Sequence, residues 1–200
     1  MREARSGDVA DSLAAAAPRL RRTARREQII DAATEAFARA GFSATGLDDI
    51  AREARVSRAI LYRHFDSKAD LYRAVLDRAR QRLVNSVPGP EFEWASVDAL
   101  VAAAAADPAG FRVLFRHAAR EPEFHDEIDR FLAQAVARAR RQVVSAFGAH
   151  AWSRWAAQLA PTVAIEAVLA WLDAGQPDRD QAAARIRQAI DGVIAAARRA

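Results

Sequence analysis

The chain has 200 residues, of which 52% are hydrophobic and 28% are charged, and its formal net charge is +4. This length and apolar fraction predict a globular protein of one or two domains and exclude an intrinsically disordered chain. The chain has no cysteine, which excludes disulfide frameworks and thiolate metal sites. No apolar run approaches the roughly 18 residues needed to span a bilayer, so we predict a cytoplasmic protein without a membrane partner.

Positive charge is concentrated in the N-terminal segment. Residues 1–26 hold seven arginines against three acidic residues, a net charge of +4 that equals the formal charge of the whole chain. Such a basic segment is compatible with two roles, contact with DNA phosphates or the minor groove, or a solvated tail. Residues 1–18 are small, polar and rich in alanine, and we predict that they form a disordered tail.

Three helices are predicted within residues 19–66. Thr23 is placed to cap the first helix, whose apolar stripe ends at Gly41. Ser57 is placed to cap the third helix with its hydroxyl. Only Arg55 and Val56 separate the second helix from this cap. Two short helices joined so tightly must cross steeply, which predicts a helix-turn-helix arrangement.

The exposed face of the third helix is predicted to bind DNA. Ile60, Leu61 and Phe65 recur at helical spacing and should point inward, which leaves a polar face that can donate to phosphates and base edges. At the starts of the second and fourth helices, side-chain donors can join the free N–H groups in holding a phosphate. The predicted DNA-binding residues are Thr45, Ser57, Arg58, Ala59, Tyr62, Arg63, His64 and Lys68.

Residues 67–200 are predicted to form a second, all-helical domain. Ser67 and Asp70 form a capping-box-like start for the fourth helix. Apolar stripes at helical spacing continue to the C-terminal region, and no alternation typical of strands accompanies them. The last two helices are rich in alanine and joined by a short turn, so they should pack antiparallel.

Two groups of residues in this domain are candidate binding sites. His117, Glu121 and His125 have metal-ligand spacing for one helix face, but Pro122 interrupts that helix, and we predict no metal site. Aromatic residues are concentrated in three later helices, where they can line an apolar cavity or form an ordinary core. The residues assigned to a ligand cavity are Phe111, Phe115, Arg116, His117, Phe131, Trp155 and Glu166.

The segment from Arg26 to Ala79 resembles the DNA-binding domain of the tetracycline-repressor (TetR) family. The resemblance rests on AGF at 40–42, Thr45, DIA at 49–51, VS at 56–57, LY at 61–62, HF at 64–65 and KADL at 68–71. Gly46 replaces a usual hydroxyl residue of the family pattern, and two further departures matter more. Arg55 stands at the position where the family usually has the turn glycine, although arginine disfavours a positive φ. Ala59 occupies a position where a glycine often lies against DNA, and its methyl group suits contact with a thymine methyl.

The resemblance implies an all-α fold with an N-terminal three-helix helix-turn-helix head on a C-terminal helical body for ligand binding and dimerisation. It implies a homodimer that pairs through the last two helices, and we predict that Ile186 and Ile190 lie in that contact. The alternative is that these apolar stripes close the core of the monomer. The resemblance further implies a repressor that binds a palindromic double-stranded DNA operator and is released by a small-molecule effector. No catalytic residue and no cofactor are expected. The alternative is a helical protein-interaction module that does not bind DNA.

Overall fold

The computed structural model describes residues 6–86 and 94–198, and these residues form helices and short connections without any strand. The α-helices are α1 Ser6–Ala44, α2 Leu47–Glu53, α3 Arg58–Tyr62, α4 Lys68–Ser86, α5 Trp94–Ala106, α6 Pro108–Arg112, α7 His125–Phe147, α8 Ala151–Asp173 and α9 Arg179–Arg198. A π-helical turn at Val113–His117 and a 3-10 turn at Ala118–Arg120 extend α6. The predicted all-α fold is confirmed.

Helix α1 begins earlier than the sequence analysis predicted. It starts at Ser6, inside the segment 1–18 for which we predicted disorder, and Thr23 lies within the helix rather than at its start. Four consecutive alanines at 14–17 favour this extension, because alanine has the highest helix propensity. Gly41, with φ 77° and ψ 177°, interrupts the helix at the predicted place. A Cβ atom there would lie 3.1 Å from Nδ1 of His117, so a side chain would meet a neighbour as well as an unfavourable φ.

Helices α1 to α4 share one hydrophobic core, which fixes the orientation of α2 and α3. Ile29 and Phe37 of α1 are fully buried, as are Ile50 of α2 and Leu61 of α3. The predicted cap of α3 is present, since the Ser57 hydroxyl oxygen accepts a hydrogen bond from the Ile60 N–H at 3.3 Å. Buried anchors on one side of each short helix therefore leave the other side exposed.

The turn between α2 and α3 keeps a left-handed residue although that residue is arginine. Arg55 has a φ of 53°. The N–H of Val56 donates to the Ala51 carbonyl at 2.9 Å, and the N–H of Arg55 donates to the Arg52 carbonyl at 3.1 Å. These two bonds form a Schellman motif, which requires a left-handed residue at the position of Arg55. The hydrogen bonds of the helix end thus outweigh the side-chain preference that made this conformation unexpected.

Arg55→Gly is expected to raise the free energy of unfolding by up to about 1 kcal/mol. Removal of the side chain relieves a left-handed strain of about 1–2 kcal/mol, and the greater entropy of glycine in the unfolded chain offsets about 0.4–1 kcal/mol of that gain. Urea unfolding measures the difference. Arg52→Gly, three residues earlier within α2, is the matched control and should lower stability by about 1 kcal/mol. Equal losses in both variants would show that residue 55 is not strained.

An aromatic cluster joins the head, α1 to α3, to the body, α5 to α9. Phe37 and Phe42 of the α1 segment, Tyr72 of α4 and Phe124 before α7 contact one another with ring centroids 4.6–6.3 Å apart. Within the described residues the buried Tyr72 hydroxyl has no hydrogen-bond partner. Burial, with a smaller contribution from the charge of Glu121, raises the pKa of Tyr72 above its usual range. The hydroxyl therefore stays neutral, and the rings hold the head and the body together.

Ion pairs and apolar contacts hold the helices of the body together. Arg112 and Arg116 both donate to Oδ1 of Asp173 at 3.2 Å, and the Arg116 hydrogen bond holds the pKa of that carboxyl below its usual value. Ile186 and Ile190 of α9 are 6% and 0% exposed and lie in the core of the same chain. Their prediction as subunit-contact residues was therefore wrong, because the α9 stripe already packs within the monomer.

Helix α8 is the one described helix that is long and apolar enough to cross a membrane by length and composition. This corrects the prediction that no apolar segment reaches that length. Half of its most apolar 18-residue window is buried inside the structure. Ala160, Ala164 and Val168 of α8 are each no more than 3% exposed, so α8 packs as a core helix of the body.

Candidate nucleic-acid interface

Helix α3 presents a polar face at the surface of the head. Leu61 and the following Phe65 are 0% and 1% exposed, and they fix the helix against α1 and α2. On the opposite side Ser57, Arg58, Ala59, Tyr62 and Arg63 are exposed, and the Tyr62 side chain is 43% exposed. Five of the eight predicted DNA-binding residues therefore share one accessible surface, which we call the α3 face.

Arg58 is held in place on the α3 face by two neighbours. Its Nη1 lies 3.2 Å from Oδ2 of Asp48 on α2, and its Nη2 lies 3.5 Å from the Tyr62 hydroxyl. The guanidinium carbon also lies 5.6 Å from the centre of the Tyr62 ring. All three side chains are solvent-exposed, so the ion pair is weak and the guanidinium can exchange Asp48 for a base or a phosphate.

His64 lies at the end of the α3 face among arginines that come from α1. Partial burial lowers the pKa of His64, and the positive charges of Arg22, Arg63, Arg26 and Arg25 lower it further. Arg26 also places its guanidinium carbon 4.9 Å from the centre of the Phe65 ring. The exposed arginines at 22, 25 and 26 thus extend the positive surface of the α3 face.

Two predicted phosphate ligands point into the protein instead. Thr45 is 5% exposed, and its hydroxyl donates to the Gly41 carbonyl at 2.6 Å. The Lys68 ammonium lies 2.9 Å from the Phe42 carbonyl oxygen and 3.2 Å from that of Thr45, and 4.4 Å above the Phe42 ring. Both side chains donate to carbonyl groups in and just after the last turn of α1, which Gly41 interrupts. In this structure both side chains therefore fix the connection between α1 and α2. The prediction that they face solvent as phosphate ligands does not match these contacts.

Two residues that position the interface were not predicted to do so from the sequence. The Gln28 side-chain amide donates to the Ala54 carbonyl at 2.7 Å, which ties the end of α2 to α1. Glu121, which follows the 3-10 turn, accepts a hydrogen bond from the Ser43 hydroxyl at 3.1 Å. Both contacts cross more than 25 positions of the chain, so no local sequence pattern indicates them. The sequence feature that could have indicated the Gln28 contact is a polar residue on an otherwise apolar side of the helix.

The body holds a second candidate site, an open groove between α7 and α8 of about 990 Å³. Of the seven predicted effector residues, Phe115 and Glu166 line this α7–α8 groove. Phe111 is buried against Phe115, with ring centroids 4.6 Å apart, and Phe131 packs on the core. Trp155 is 40% exposed and forms an edge-to-face pair with Trp152.

The two remaining predicted effector residues contact other parts of the chain. Arg116 pairs with Asp173, and His117 places Nε2 3.0 Å from the Ala38 carbonyl oxygen of α1. Across the described part of the chain, no three histidine or acidic side chains form a group suited to a metal ion. Of the three residues with metal-ligand spacing, His117 and Glu121 contact the head, and Nδ1 of His125 lies 3.3 Å from Oδ2 of Asp129.

Residues 29–75 match the family described as bacterial regulatory proteins, tetR family. The chain is 38% identical over 107 residues to the transcriptional activator FasR of Mycolicibacterium smegmatis, covering 50% of this chain and 49% of that relative. It is 34% identical over 93 residues to the transcriptional repressor SCO4008 of Streptomyces coelicolor, covering 46% and 48%. The chain thus matches about half the length of these curated relatives. One of the two is an activator of transcription and the other is a repressor.

Two solved structures share the fold of most of the chain. A TetR-like transcriptional regulator from Rhodococcus sp. RHA1 superposes with a TM-score of 0.73 at 20% identity, covering 83% of this chain and 93% of that one. A transcriptional regulator from Aquifex aeolicus VF5 superposes with a TM-score of 0.66 at 14% identity, covering 84% and 99%. At these identities the likeness establishes the shared architecture, a helix-turn-helix head on a helical body.

Proposed function

We propose that this chain, which belongs to the TetR family of bacterial regulatory proteins, binds an operator as a homodimer and represses transcription in the cytoplasm until a small-molecule effector releases it. The observation that carries the proposal is the α3 face, where Arg58, Tyr62 and Arg63 stand exposed on a helix anchored by Leu61 and Phe65. We assign the chain no catalytic role, and the relatives described above are transcriptional regulators.

In the proposed complex, α3 lies in the major groove and reads base edges. Arg58 leaves Asp48 and donates to a guanine or a phosphate, and the methyl group of Ala59 meets a thymine methyl. Arg22, Arg25 and Arg26 approach the phosphates beside His64. Thr45 and Lys68 position the start of α2 through their hydrogen bonds to the Gly41, Phe42 and Thr45 carbonyls.

Selection of bound sequences from a random pool of DNA duplexes tests the proposal. We expect a pseudo-palindromic site whose half-sites are one helical turn apart or a multiple of it, because each protomer presents one α3. Binding should weaken steeply with salt, because phosphate contacts release counterions. A pool without enrichment, together with binding that is independent of salt, would support the alternative of a helical protein-interaction module.

Arg58→Ala is expected to weaken binding to the selected operator by about 1–3 kcal/mol and to relax the preference at one base pair. The reason is that a bidentate guanidinium contact to a base is lost. Fluorescence anisotropy with the operator and with a random duplex measures both effects. Arg130→Ala, at an exposed arginine of α7, is the matched control and should change neither. An equal loss on both duplexes would make Arg58 a phosphate contact.

Operator affinity is expected to rise as the pH falls, because of His64. Burial and the arginines around it hold the pKa of His64 below its usual value of 6.5 in the free protein. DNA phosphates nearby would raise that pKa, so binding takes up a proton. The extra affinity should be fully present below the free-protein pKa and lost as the pH rises through the pKa in the complex. Titration of the operator between about pH 5 and 8 measures it, and His64→Asn should flatten the profile.

The proposed dimer contact is the outer surface of the last two helices. Ile186 and Ile190 are unavailable, but Trp152 and Trp155 stand exposed at the start of α8, with Leu159 and Val163 following on the same side. Exposed aromatic pairs of this kind are common anchors of protein contacts. Ala184 and Gly192 on α9 are small, so a partner helix can approach closely there. A dimer carries two DNA-binding heads that can bind the two half-sites of one operator, and its operator affinity is therefore higher than that of a single head.

The proposed route from effector to head runs through the π-helical turn. Phe115 lines the α7–α8 groove, while His117 contacts the Ala38 carbonyl and Glu121 contacts Ser43. A ligand that moves Phe115 would therefore move residues that touch α1 on both sides of Gly41. The ligand needs a higher affinity for one head position than for the other, since that difference sets the shift in operator binding.

A further inference from the structure

The α7–α8 groove has opposite charges at its two ends. Helices α7 and α8 run antiparallel because residues 148–150 are all that separate them. Arg140 and Arg141 of α7 and Arg154 of α8 line the groove near this connection. Asp129 of α7 and Glu166 of α8 line its far end. At 1.5 Å per helical residue, the basic and acidic ends are roughly 16–18 Å apart along the helices.

The three arginines at the basic end are free to bind an anion. All three are exposed, and none of them forms an ion pair with any residue that the structure describes. Other arginines of the body do form such pairs, as Arg116 does with Asp173 and Arg187 with Asp98. A guanidinium group binds a carboxylate with two parallel hydrogen bonds when no competing acid is nearby.

Between the two ends most of the lining is apolar, and Gln158 and Thr162 of α8 are its uncharged polar residues. Leu132 and Val136 of α7, Pro161 and Ile165 of α8, and Phe115 line this part of the groove. Apolar side chains over this length can cover an extended hydrocarbon chain, each buried methylene of which contributes about 0.8 kcal/mol. The acidic end, in turn, disfavours a ligand that carries a second negative charge.

We propose that the effector is an aliphatic monocarboxylate, with its carboxylate among Arg140, Arg141 and Arg154 and its chain along the groove toward Phe115. The proposal rests on the proposed function in taking this groove as the effector site, and it adds the chemical class of the ligand. It predicts weaker binding of a neutral chain of the same length, which leaves the arginines without a partner. It also predicts weaker binding of a dicarboxylate, whose second carboxylate would lie on the apolar part of the groove and be repelled by Asp129 and Glu166 beyond it.

Calorimetric titration of the full chain without DNA tests this ligand class. The probes are decanoate, decanol and decanedioate, each kept below the concentration at which it aggregates. We expect decanoate to bind at one site per chain and at least about tenfold more tightly than the other two. The double variant Arg140→Gln, Arg154→Gln should lose that preference while keeping the weak affinity for decanol. Arg138→Gln, on α7 but outside the groove, is the matched control and should bind decanoate as the parent chain does.

Equal affinities for the three probes would overturn the proposal, and so would a decanoate affinity unchanged in the double variant. Thermal unfolding of each variant checks its fold, and substitution of exposed arginines should leave the midpoint nearly unchanged. Operator binding is measured separately. If decanoate does not bind while specific operator binding is intact, the proposed ligand class is wrong and the regulatory function is unaffected. If decanoate binds but no operator binding is found, the proposed regulatory function is wrong and the ligand class is supported.

Discussion

Phe124→Ala is expected to lower the free energy of unfolding by about 3–5 kcal/mol, which is a large part of the stability of a domain of this size. Phe124 is 1% exposed and contacts Phe42 and Tyr72 with ring centroids 5.1 and 4.6 Å apart. Its removal leaves a cavity between head and body that the helices on either side cannot close without moving. Chemical denaturation followed by circular dichroism measures the loss.

Tyr72→Phe is the matched control for this cluster. It keeps the ring and removes a buried hydroxyl that has no hydrogen-bond partner among the described residues, so we expect neutral or slightly higher stability. Val84→Ala, at a side chain that is 54% exposed on α4, should change stability by less than about 0.5 kcal/mol. A Phe124→Ala variant as stable as these two would mean that the aromatic cluster does not join head and body.

Replacement of Trp152 and Trp155 together by glutamate is expected to yield monomers and to weaken operator binding by about 10²–10⁴-fold. A dimer holds its second head at a high effective concentration over the second half-site, and a monomer loses that advantage. Trp152 and Trp155 are 49% and 40% exposed, so the charges should not unfold the monomer. Sedimentation velocity and operator titration measure assembly and binding.

Val84→Glu is the matched control for the dimer, because Val84 is the exposed apolar residue of α4. It should leave both the sedimentation coefficient and the operator affinity unchanged. A double tryptophan variant that stays dimeric with normal operator affinity would move the subunit contact to another surface. The outer side of α9 around Gln188 would then be the next surface to test.

The sequence predicted best those features that depend on neighbouring residues. The Ser57 cap, the inward positions of Leu61 and Phe65 and the interruption at Gly41 follow from local propensity and helical spacing. Arg55 shows where local propensity fails. Its side chain disfavours the left-handed conformation, but two backbone hydrogen bonds at the end of α2 require it.

Features that depend on distant parts of the chain were not predictable. Thr45 and Lys68 carry donors typical of phosphate ligands, and only the fold shows that free carbonyls at the end of α1 face them. The stripe of Ile186 and Ile190 indicated a buried side of α9, but an apolar stripe does not say whether the same chain or a partner covers it. Arg140 and Arg154 lie near each other because α7 and α8 are antiparallel, which their spacing alone does not reveal.

The position of Lys68 has a consequence for chemical labelling. Lys68 is the only lysine in the sequence, so its ammonium is the one side-chain amine that an acylating reagent can modify. That ammonium is enclosed by the Phe42 and Thr45 carbonyls and covered by the Phe42 ring. Acylation at this residue therefore requires the half-buried Lys68 side chain to leave these carbonyls. The rate of side-chain acylation reports how often these contacts at the base of the DNA-binding head break, without any probe having to be introduced.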